Sequence, residues 1–397
     1  MPRKAAERQL TKTWGWAVVG MEASDCFAAA GGDNMKGARV MKFRSAILAA
    51  CALGVLTLPT APALAKDWWP FSVVPDGPDK TPIQYVPLPK AEKKWNLCVL
   101  FPHLKDSYWV AVNYGIVQEA ERLGVRAYTY QAGGYDQLPK QLSQFDDCVA
   151  SKPDAILVSA ITEAGIAGRL EDAMKKGIPI VAVANPVEKT PITALITTNH
   201  QEKGYLSGKA LVEKLGDKGG KVVAFPGPQN SGWAENYLIG FRRAIEGSKV
   251  QLLDVKFGEA GVAEQLRLVE DSLQAYPDMN AIWGGAPTAQ AALSAIADAN
   301  RPDIVISSSW EDQIMPDRVK EGKIIGFSAE YPVILARIGV DLAVRAIEKK
   351  PLDYLAQHPD VRILRIVPGE VTADNIGSFD LSQIYAPGNW QPVFDTK

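Results

Sequence analysis

Short apolar runs alternate with amphipathic helical patterns along the chain from Trp95 onward. The first series of apolar runs covers residues 97–101, 126–131, 155–160, 178–184 and 194–199. Helical patterns between and after them cover residues 108–123, 137–150, 163–176 and 201–215. Because runs of this length between helical patterns are typical of buried parallel strands, the series predicts βαβ units with right-handed crossovers.

A second series of the same kind begins after the helix-breaking sequence at 216–220. Its predicted strands are 221–225, 250–257, 281–284, 304–308 and 324–328, and its predicted helices are 232–246, 263–275, 288–299, 311–320 and 332–349. The repeat predicts an α/β fold of two doubly wound, Rossmann-like lobes with a ligand cleft between them. The N-terminal lobe would cover residues 95–200 and the C-terminal lobe residues 201–328.

The remaining residues, 329–397, are expected to form a hinge-crossing helix and return strands. The β-like segment 362–371 would return toward the first lobe, and crossings near Asn199, Ala329 and Pro368 would form a multi-strand hinge. This arrangement is that of the type I periplasmic binding proteins, whose lobes close around a ligand.

The N-terminal region has the pattern of an export signal. A positive segment at 41–44 precedes an apolar stretch at 45–58 and a small-residue cleavage site ending at Ala65, which predicts a signal peptide over 41–65 and a periplasmic protein. A membrane anchor would need about 20 apolar residues. Residues 1–40 have no such pattern, and we interpret them as a start-site misassignment. The Pro-rich segment 66–94 is expected to be extended and to lie over the surface.

Composition narrows the function. The 397 residues are 47% hydrophobic and 22% charged, which is typical of a globular protein, and a net charge of −2 gives no electrostatic case for nucleic acid. The loop at 227–232 lacks the Lys and Ser/Thr of a P-loop, the three histidines have no metal-ligand spacing, and no Gly-x-Ser-x-Gly motif occurs. We therefore expect neither an enzyme nor a cofactor or metal site.

Two cysteines remain once the predicted signal peptide is removed. Cys98 lies in the first strand and Cys148 near the end of the second helix, which packs beside that strand. An oxidising compartment favours a disulfide between them. Two buried free thiols are the alternative.

Aromatic and acidic residues recur where predicted strands end. Because ligands of open α/β sheets bind at the carboxyl ends of the strands, these residues are candidate ligand contacts: Tyr108, Trp109, Tyr135, Glu163, Trp233, Trp310, Glu311, Glu330 and Tyr331. Aromatic faces attract alkylated cations, and a carboxylate completes a site for a small cation or zwitterion. A sugar site usually adds Arg, Asn and Asp for hydroxyls, and Arg is missing at these positions.

The motif at 104–109, with those at 132–135 and 226–228, resembles the TorT family of periplasmic trimethylamine N-oxide sensors, which act with a TorS-type sensor histidine kinase. The resemblance implies that Tyr108, Trp109 and Tyr135 hold the methylated nitrogen, that Asp106 orients hydrogen bonds beside them, and that Glu330 is the family's acid. Cys148 also falls where the family has a cysteine. The family carries a Trp after the fifth strand, where this chain has Asn199 and His200. His200 is therefore a candidate contact. Its replacement of the family's Trp implies either that trimethylamine N-oxide binds more weakly or that the ligand is a related compound.

The sequence thus predicts a periplasmic sensor that binds trimethylamine N-oxide or a related small methylated solute. It would signal to a TorS-like sensor histidine kinase, without nucleic-acid binding or membrane insertion of its own. The alternative on the same fold is a substrate-binding subunit of an ABC importer for a sugar or related solute. A LacI-type regulator would need an N-terminal helix-turn-helix in place of the signal peptide.

Overall fold

Two sheets form the framework of the molecule in the computed structural model, which describes residues 67–397. The predicted signal peptide and the residues upstream of it lie outside the described residues. The first sheet contains Phe71–Pro75 (β1), Ile83–Tyr85 (β2), Asn96–Phe101 (β3), Arg126–Gln131 (β4), Ala155–Val158 (β5), Ile180–Val183 (β6), Ala194–Thr198 (β7) and Ile363–Ile366 (β13). The second contains Gly220–Phe225 (β8), Val250–Val255 (β9), Ala281–Gly284 (β10), Val305–Ser308 (β11), Gly326–Ala329 (β12) and Gly369–Thr372 (β14).

Both sheets are parallel at their centres. The strand orders are β2-β1-β13-β7-β6-β5-β3-β4 and β14-β12-β11-β10-β8-β9, and the antiparallel strands β1, β2 and β14 lie at one edge of each sheet. Strands β5, β6 and β7 are buried along their whole length, which is why they read as continuous apolar runs. The predicted fold class is confirmed.

Helices cover the faces of both sheets. They are Ser107–Leu123 (α1), Leu138–Ala150 (α2), Glu163–Lys175 (α3), His200–Leu215 (α4), Trp233–Ile245 (α5), Val262–Ala275 (α6), Ala286–Asp298 (α7), Met315–Lys320 (α8), Pro332–Glu348 (α9) and Asp353–Gln357 (α10). Helix α8 is shorter than the predicted 311–320. Pro316 occupies its first turn, where proline is well tolerated because the N–H groups there have no partner within the helix. Residues 310–314 form a loop. In the described part of the chain, no helix has the length and apolar character needed to cross a membrane.

The chain crosses between the sheets at several points. It leaves the first sheet after β7, returns to it after β12 through α9, and leaves it again between β13 and β14. Helix α9 packs closely on α1. The two helices leave no room for a side chain at Gly115, since an added Cβ would lie 2.4 Å from the Val333 carbonyl oxygen. The crossings therefore lie near Asn199, Ala329 and Pro368.

The N-terminal segment differs from the expectation of a surface segment. Its strands β1 and β2 extend the first sheet, and β1 pairs with β13. Trp68 and Tyr85 are 5% and 0% exposed, and the Tyr85 hydroxyl donates to Asp341 of α9 over 2.5 Å. The strands were missed because three to five residues with neighbouring prolines give too little period-2 pattern.

A disulfide joins Cys98 and Cys148, whose Cα atoms are 6.0 Å apart. It ties β3 to α2 in a buried apolar cluster with Phe145 and Ile156. The predicted disulfide is confirmed, and the alternative of two free thiols is wrong.

Candidate ligand-binding site

A cavity lies between the two lobes, where loops at the carboxyl ends of their strands face each other. It is lined by Asp106, Tyr108, Trp109, Tyr135, Asn185, His200, Trp233, Tyr237, Ala260, Trp310 and Glu330. Loops and a helix after β3, β4 and β6 supply the N-terminal side, and loops and helices after β7, β8, β9, β11 and β12 supply the opposite side. The site is thus at the sheet edge where α/β proteins bind ligands.

The cavity wall contains a continuous arc of aromatic rings packed edge to face, and all of them except His103 line the cavity. Its order is Trp310, Tyr108, Trp109, His103, Tyr135, Trp233, Tyr237 and His200, with neighbouring ring centroids between 5.2 and 6.2 Å apart. The arc begins in the C-terminal lobe, passes through the N-terminal lobe and returns. Edge-to-face packing holds each ring in place.

The start of α1 positions two of these rings. Asp106 is the N-cap of the helix, and its Oδ1 accepts a hydrogen bond from Trp109 N at 2.9 Å. Tyr108 and Trp109 therefore lie in the first turn, 8% and 3% exposed. The other oxygen of Asp106, Oδ2, is 3.9 Å from His103 Nε2.

A buried charge network lies at one end of the cavity. Lys203 of α4 is fully buried and donates to Glu330 Oε2 over 2.6 Å, with Glu311 Oε2 at 3.6 Å. Glu330 also accepts from the hydroxyls of Tyr108, at 2.6 Å, and Tyr237, at 3.2 Å. Its own backbone N–H donates to Glu311 Oε1 over 2.8 Å. One cation thus faces two carboxylates, and Glu330 takes most of the hydrogen bonds.

The pKa values of these acids diverge. Burial alone would raise the pKa of Glu330, but the charge of Lys203 and the hydrogen bonds it receives hold that pKa below its usual value. Burial raises the pKa of Glu311, with Lys203 only partly offsetting it. Glu330 is therefore the ionised partner of Lys203, and Glu311 is the acid that protonates more readily.

Burial also shifts the pKa values of Asp106 and His200 in the cavity wall and of the neighbouring His103. It raises the pKa of Asp106 to about 6 and lowers the pKa values of His103 and His200 to about 4. Both imidazoles are thus neutral near pH 7. They add polar, uncharged edges to the aromatic arc.

A second set of hydrogen bonds fixes the middle of the arc. The Tyr135 hydroxyl accepts from Trp233 Nε1 at 3.1 Å and from Asn185 Nδ2 at 3.0 Å. Asn185 is anchored in turn through a 2.7 Å hydrogen bond to the Ala160 carbonyl. This set ties the N-terminal lobe to Trp233 in the C-terminal lobe.

The structure brings most of the predicted contacts together. Residues lining the cavity are Asp106, Tyr108, Trp109, Tyr135, His200, Trp233, Trp310 and Glu330. Glu311 lies behind the wall, bonded to Glu330. Two predicted residues lie elsewhere: Tyr331 packs on Phe71 with centroids 5.5 Å apart, and the Glu163 carboxylate accepts from the backbone of Lys189 and Thr190 at 2.7 and 2.6 Å.

Five residues of the site were missed: His103, Asn185, Lys203, Tyr237 and Ala260. Lys203 and Tyr237 lie inside helices α4 and α5, and Asn185 follows β6. A search of strand ends for aromatic and acidic residues does not find them. A lysine in an amphipathic helix normally predicts a solvated face, whereas Lys203 is 0% exposed.

The cavity is small. Its volume is about 30 Å³, measured as the space open to the centres of water-sized molecules, and one water needs about 10–15 Å³ on this measure. No Arg or Lys lines the cavity within residues 67–397, and no group of three or more metal-ligating side chains occurs in that range.

Fold and site together define a two-lobed solute-binding protein. Residues 97–351 match the family model described as a periplasmic binding protein domain, and the chain belongs to that family. It is 29% identical over 307 residues to the periplasmic protein TorT of Escherichia coli K12, covering 77% of this chain and 86% of that protein.

Solved structures give the same class. A solute-binding protein of an ABC transporter from Bradyrhizobium sp. BTAi1, with bound Bis-Tris, is 35% identical, with a TM-score of 0.69 over 83% of this chain and 99% of that one. TorT in complex with the TorS sensor domain, in the presence of TMAO (trimethylamine N-oxide), has 22% identity and a TM-score of 0.67, covering 76% and 99% of the two chains. The second likeness shows the fold alone.

Proposed function

We propose that this protein is a non-enzymatic periplasmic sensor that binds trimethylamine N-oxide or a related small methylated solute. The observation that carries the proposal is the aromatic arc around a small cavity with the Asp106 carboxyl group in its wall. Methyl groups on a positively charged nitrogen pack favourably on aromatic faces. The cavity offers aromatic rings for such a group.

Two comparisons support this ligand class. TorT of E. coli shares 29% identity with this chain, and a TorT protein whose complex with the TorS sensor domain was solved in the presence of TMAO has the same fold. The Bradyrhizobium protein holds Bis-Tris, which is a tertiary amine and not a sugar. Both point to a nitrogen centre that carries carbon substituents.

The partner in this proposal is the periplasmic domain of a TorS-like sensor histidine kinase. Ligand binding would change the relative population of lobe arrangements and thereby the surface offered to the kinase. Export through the signal peptide over 41–65 would place the mature chain in the periplasm.

Calorimetry on the mature chain tests the ligand class. We expect binding heat with trimethylamine N-oxide and none with ribose. The buffer should be phosphate, because Bis-Tris and HEPES are themselves tertiary amines and would compete. Heat with ribose alone would overturn the proposal.

A second candidate is the substrate-binding subunit of an ABC importer. The observation that favours it is the 35% identity to an ABC transporter solute-binding protein over 99% of that chain. Deleting the gene separates the two functions. Loss of uptake of the labelled ligand would indicate import, whereas intact uptake with loss of a ligand-dependent transcriptional response would indicate sensing.

A further inference from the structure

His200 separates two cavities. One is the aromatic cavity described above, and the other is a hinge-side cavity whose lining includes Asp76, Glu188, Gln201 and Arg365. On the same measure the hinge-side cavity has a volume of about 280 Å³, compared with about 30 Å³ for the aromatic cavity. A single imidazole therefore stands between a small aromatic compartment and a much larger polar one.

The imidazole of His200 is available to a ligand. It is 5% exposed, packs against Tyr237 with ring centroids 5.2 Å apart, and neither ring nitrogen has a hydrogen-bond partner among the described residues. In its neutral form the ring has one donor and one acceptor nitrogen, so it matches a hydroxyl group, which can do both.

The charges of the hinge-side cavity are already paired. The Arg365 guanidinium contacts Asp76 and Glu188 at 3.0 Å each, and Lys80, which also lines this cavity, lies 3.8 Å from Asp76. Gln201 Nε2 donates to Asn236 Oδ1 over 2.9 Å, so two side-chain amides add further donors and acceptors. Balanced charges and amides favour a neutral, hydroxylated group over an ion, because an ion would have to break these pairs.

We propose that His200 is the junction of a composite site, in which the ligand's substituted nitrogen occupies the aromatic cavity and a hydroxylated arm extends past His200 into the hinge-side cavity. The proposal rests on the proposed function only for the position of the nitrogen. The composite site should prefer amines that carry a hydroxylated arm over methylamines that lack one.

The test compares two probes by calorimetry in phosphate buffer: trimethylamine N-oxide, which has no arm, and Bis-Tris, which carries several hydroxyl groups. In the wild-type protein we expect Bis-Tris to bind at least about tenfold more tightly. His200→Trp fills the junction with a larger ring and removes the imidazole, and we expect it to reduce the ratio of the two affinities by about tenfold or more. His358→Trp, at a partly exposed position beside Tyr354 and outside both cavities, is the matched control and should leave the ratio unchanged.

Asn236→Leu is a second variant that acts from the hinge-side cavity alone, in case His200→Trp fails to fold. It should shift the affinity ratio in the same direction. Binding of trimethylamine N-oxide without binding of Bis-Tris would overturn the composite site and leave the proposed function intact. The same conclusion follows if both variants weaken the two probes equally. Binding of Bis-Tris alone would support the composite site and reject trimethylamine N-oxide as the ligand, and binding of neither would overturn both proposals.

Discussion

The hydroxyl of Tyr108 donates to Glu330 Oε1 over 2.6 Å and so joins the aromatic wall of the N-terminal lobe to the residue at which the chain crosses back from β12. Glu330 is held from the other side by Lys203 of the C-terminal lobe. A ligand that packs on Tyr108 therefore acts on a contact between the lobes. A ligand shifts a conformational equilibrium only through contacts that differ between the states, and we predict that the Tyr108–Glu330 hydrogen bond is one of them.

Substituting Tyr108 by Phe should weaken ligand binding while preserving the fold. The ring and its edge-to-face contacts remain, but Glu330 loses a hydrogen bond. Hydrogen bonds to charged groups contribute about 1.5–3 kcal/mol, so we expect the Kd for trimethylamine N-oxide to rise at least about tenfold. Calorimetry measures this change directly.

Tyr354→Phe is the matched control for that variant. Tyr354 also donates to a carboxylate, Asp79 Oδ1 at 2.9 Å, but the pair is on the surface. Its loss should leave the Kd unchanged. An unaltered Kd in the Tyr108→Phe protein would show that the contact between the lobes does not contribute to binding.

Gly285 is expected to be essential for the position of Trp310. Its φ is −79°, so any residue could adopt its backbone conformation, but an added Cβ would lie 2.4 Å from Trp310 Nε1. Gly285→Ala should therefore displace the indole from the cavity wall and reduce ligand affinity about tenfold, in line with the loss of one cation–π contact. Fluorescence titration or calorimetry measures this loss of affinity.

Gly168→Ala provides the comparison, because a Cβ there meets nothing within 4 Å and the residue lies inside α3. It should raise the free energy of unfolding by about 0.5–1 kcal/mol without changing affinity. Equal affinities for the two alanine variants would contradict the role given to Gly285.

The pH dependence of stability should include a contribution from Asp106. Burial raises its pKa to about 6 from the ordinary value of 3.8, so between these values the folded protein holds a proton that the unfolded chain has released. The free energy of unfolding then falls as the pH rises through this window. Asp106→Asn keeps the helix cap and removes the titration, so the variant should gain up to about 3 kcal/mol over the wild type between pH ~4 and ~7.

Urea unfolding of both proteins at the two pH values measures that difference. Asp374→Asn, at an exposed position, controls for the loss of an aspartate and should show none. The pKa of Asp312 is raised to about 6 by burial and further by Asp106. Asp312 should therefore also lower the free energy of unfolding as the pH rises through this window. A constant difference between wild type and Asp106→Asn would show that Asp106 titrates normally.

The sequence predicted the parts of the site that depend on strand ends. Tyr108, Tyr135 and Trp310 follow apolar runs, and a parallel sheet brings all such positions to one edge. The prediction of a ligand contact fails where a side chain points away from that edge. Glu163 is such a case, because its carboxylate accepts hydrogen bonds from backbone N–H groups. It also misses residues such as Lys203, since burial of a helical lysine depends on the packing of α4 against α5 and not on local pattern.

The disulfide should stabilise the fold without affecting the site. Cys98 and Cys148 are separated by 50 residues, and closing a loop of that length reduces the entropy of the unfolded chain by an amount worth about 4 kcal/mol in the chain-entropy model. The double variant Cys98→Ala, Cys148→Ala should lose about 2–4 kcal/mol in urea unfolding and retain its affinity for trimethylamine N-oxide, because the pair lies in a buried cluster with Phe145 and Ile156, apart from the cavity residues. Wild-type protein unfolded with and without dithiothreitol separates loss of the bond from loss of the sulfur atoms. If reduction leaves the unfolding midpoint in place, the disulfide does not contribute to stability.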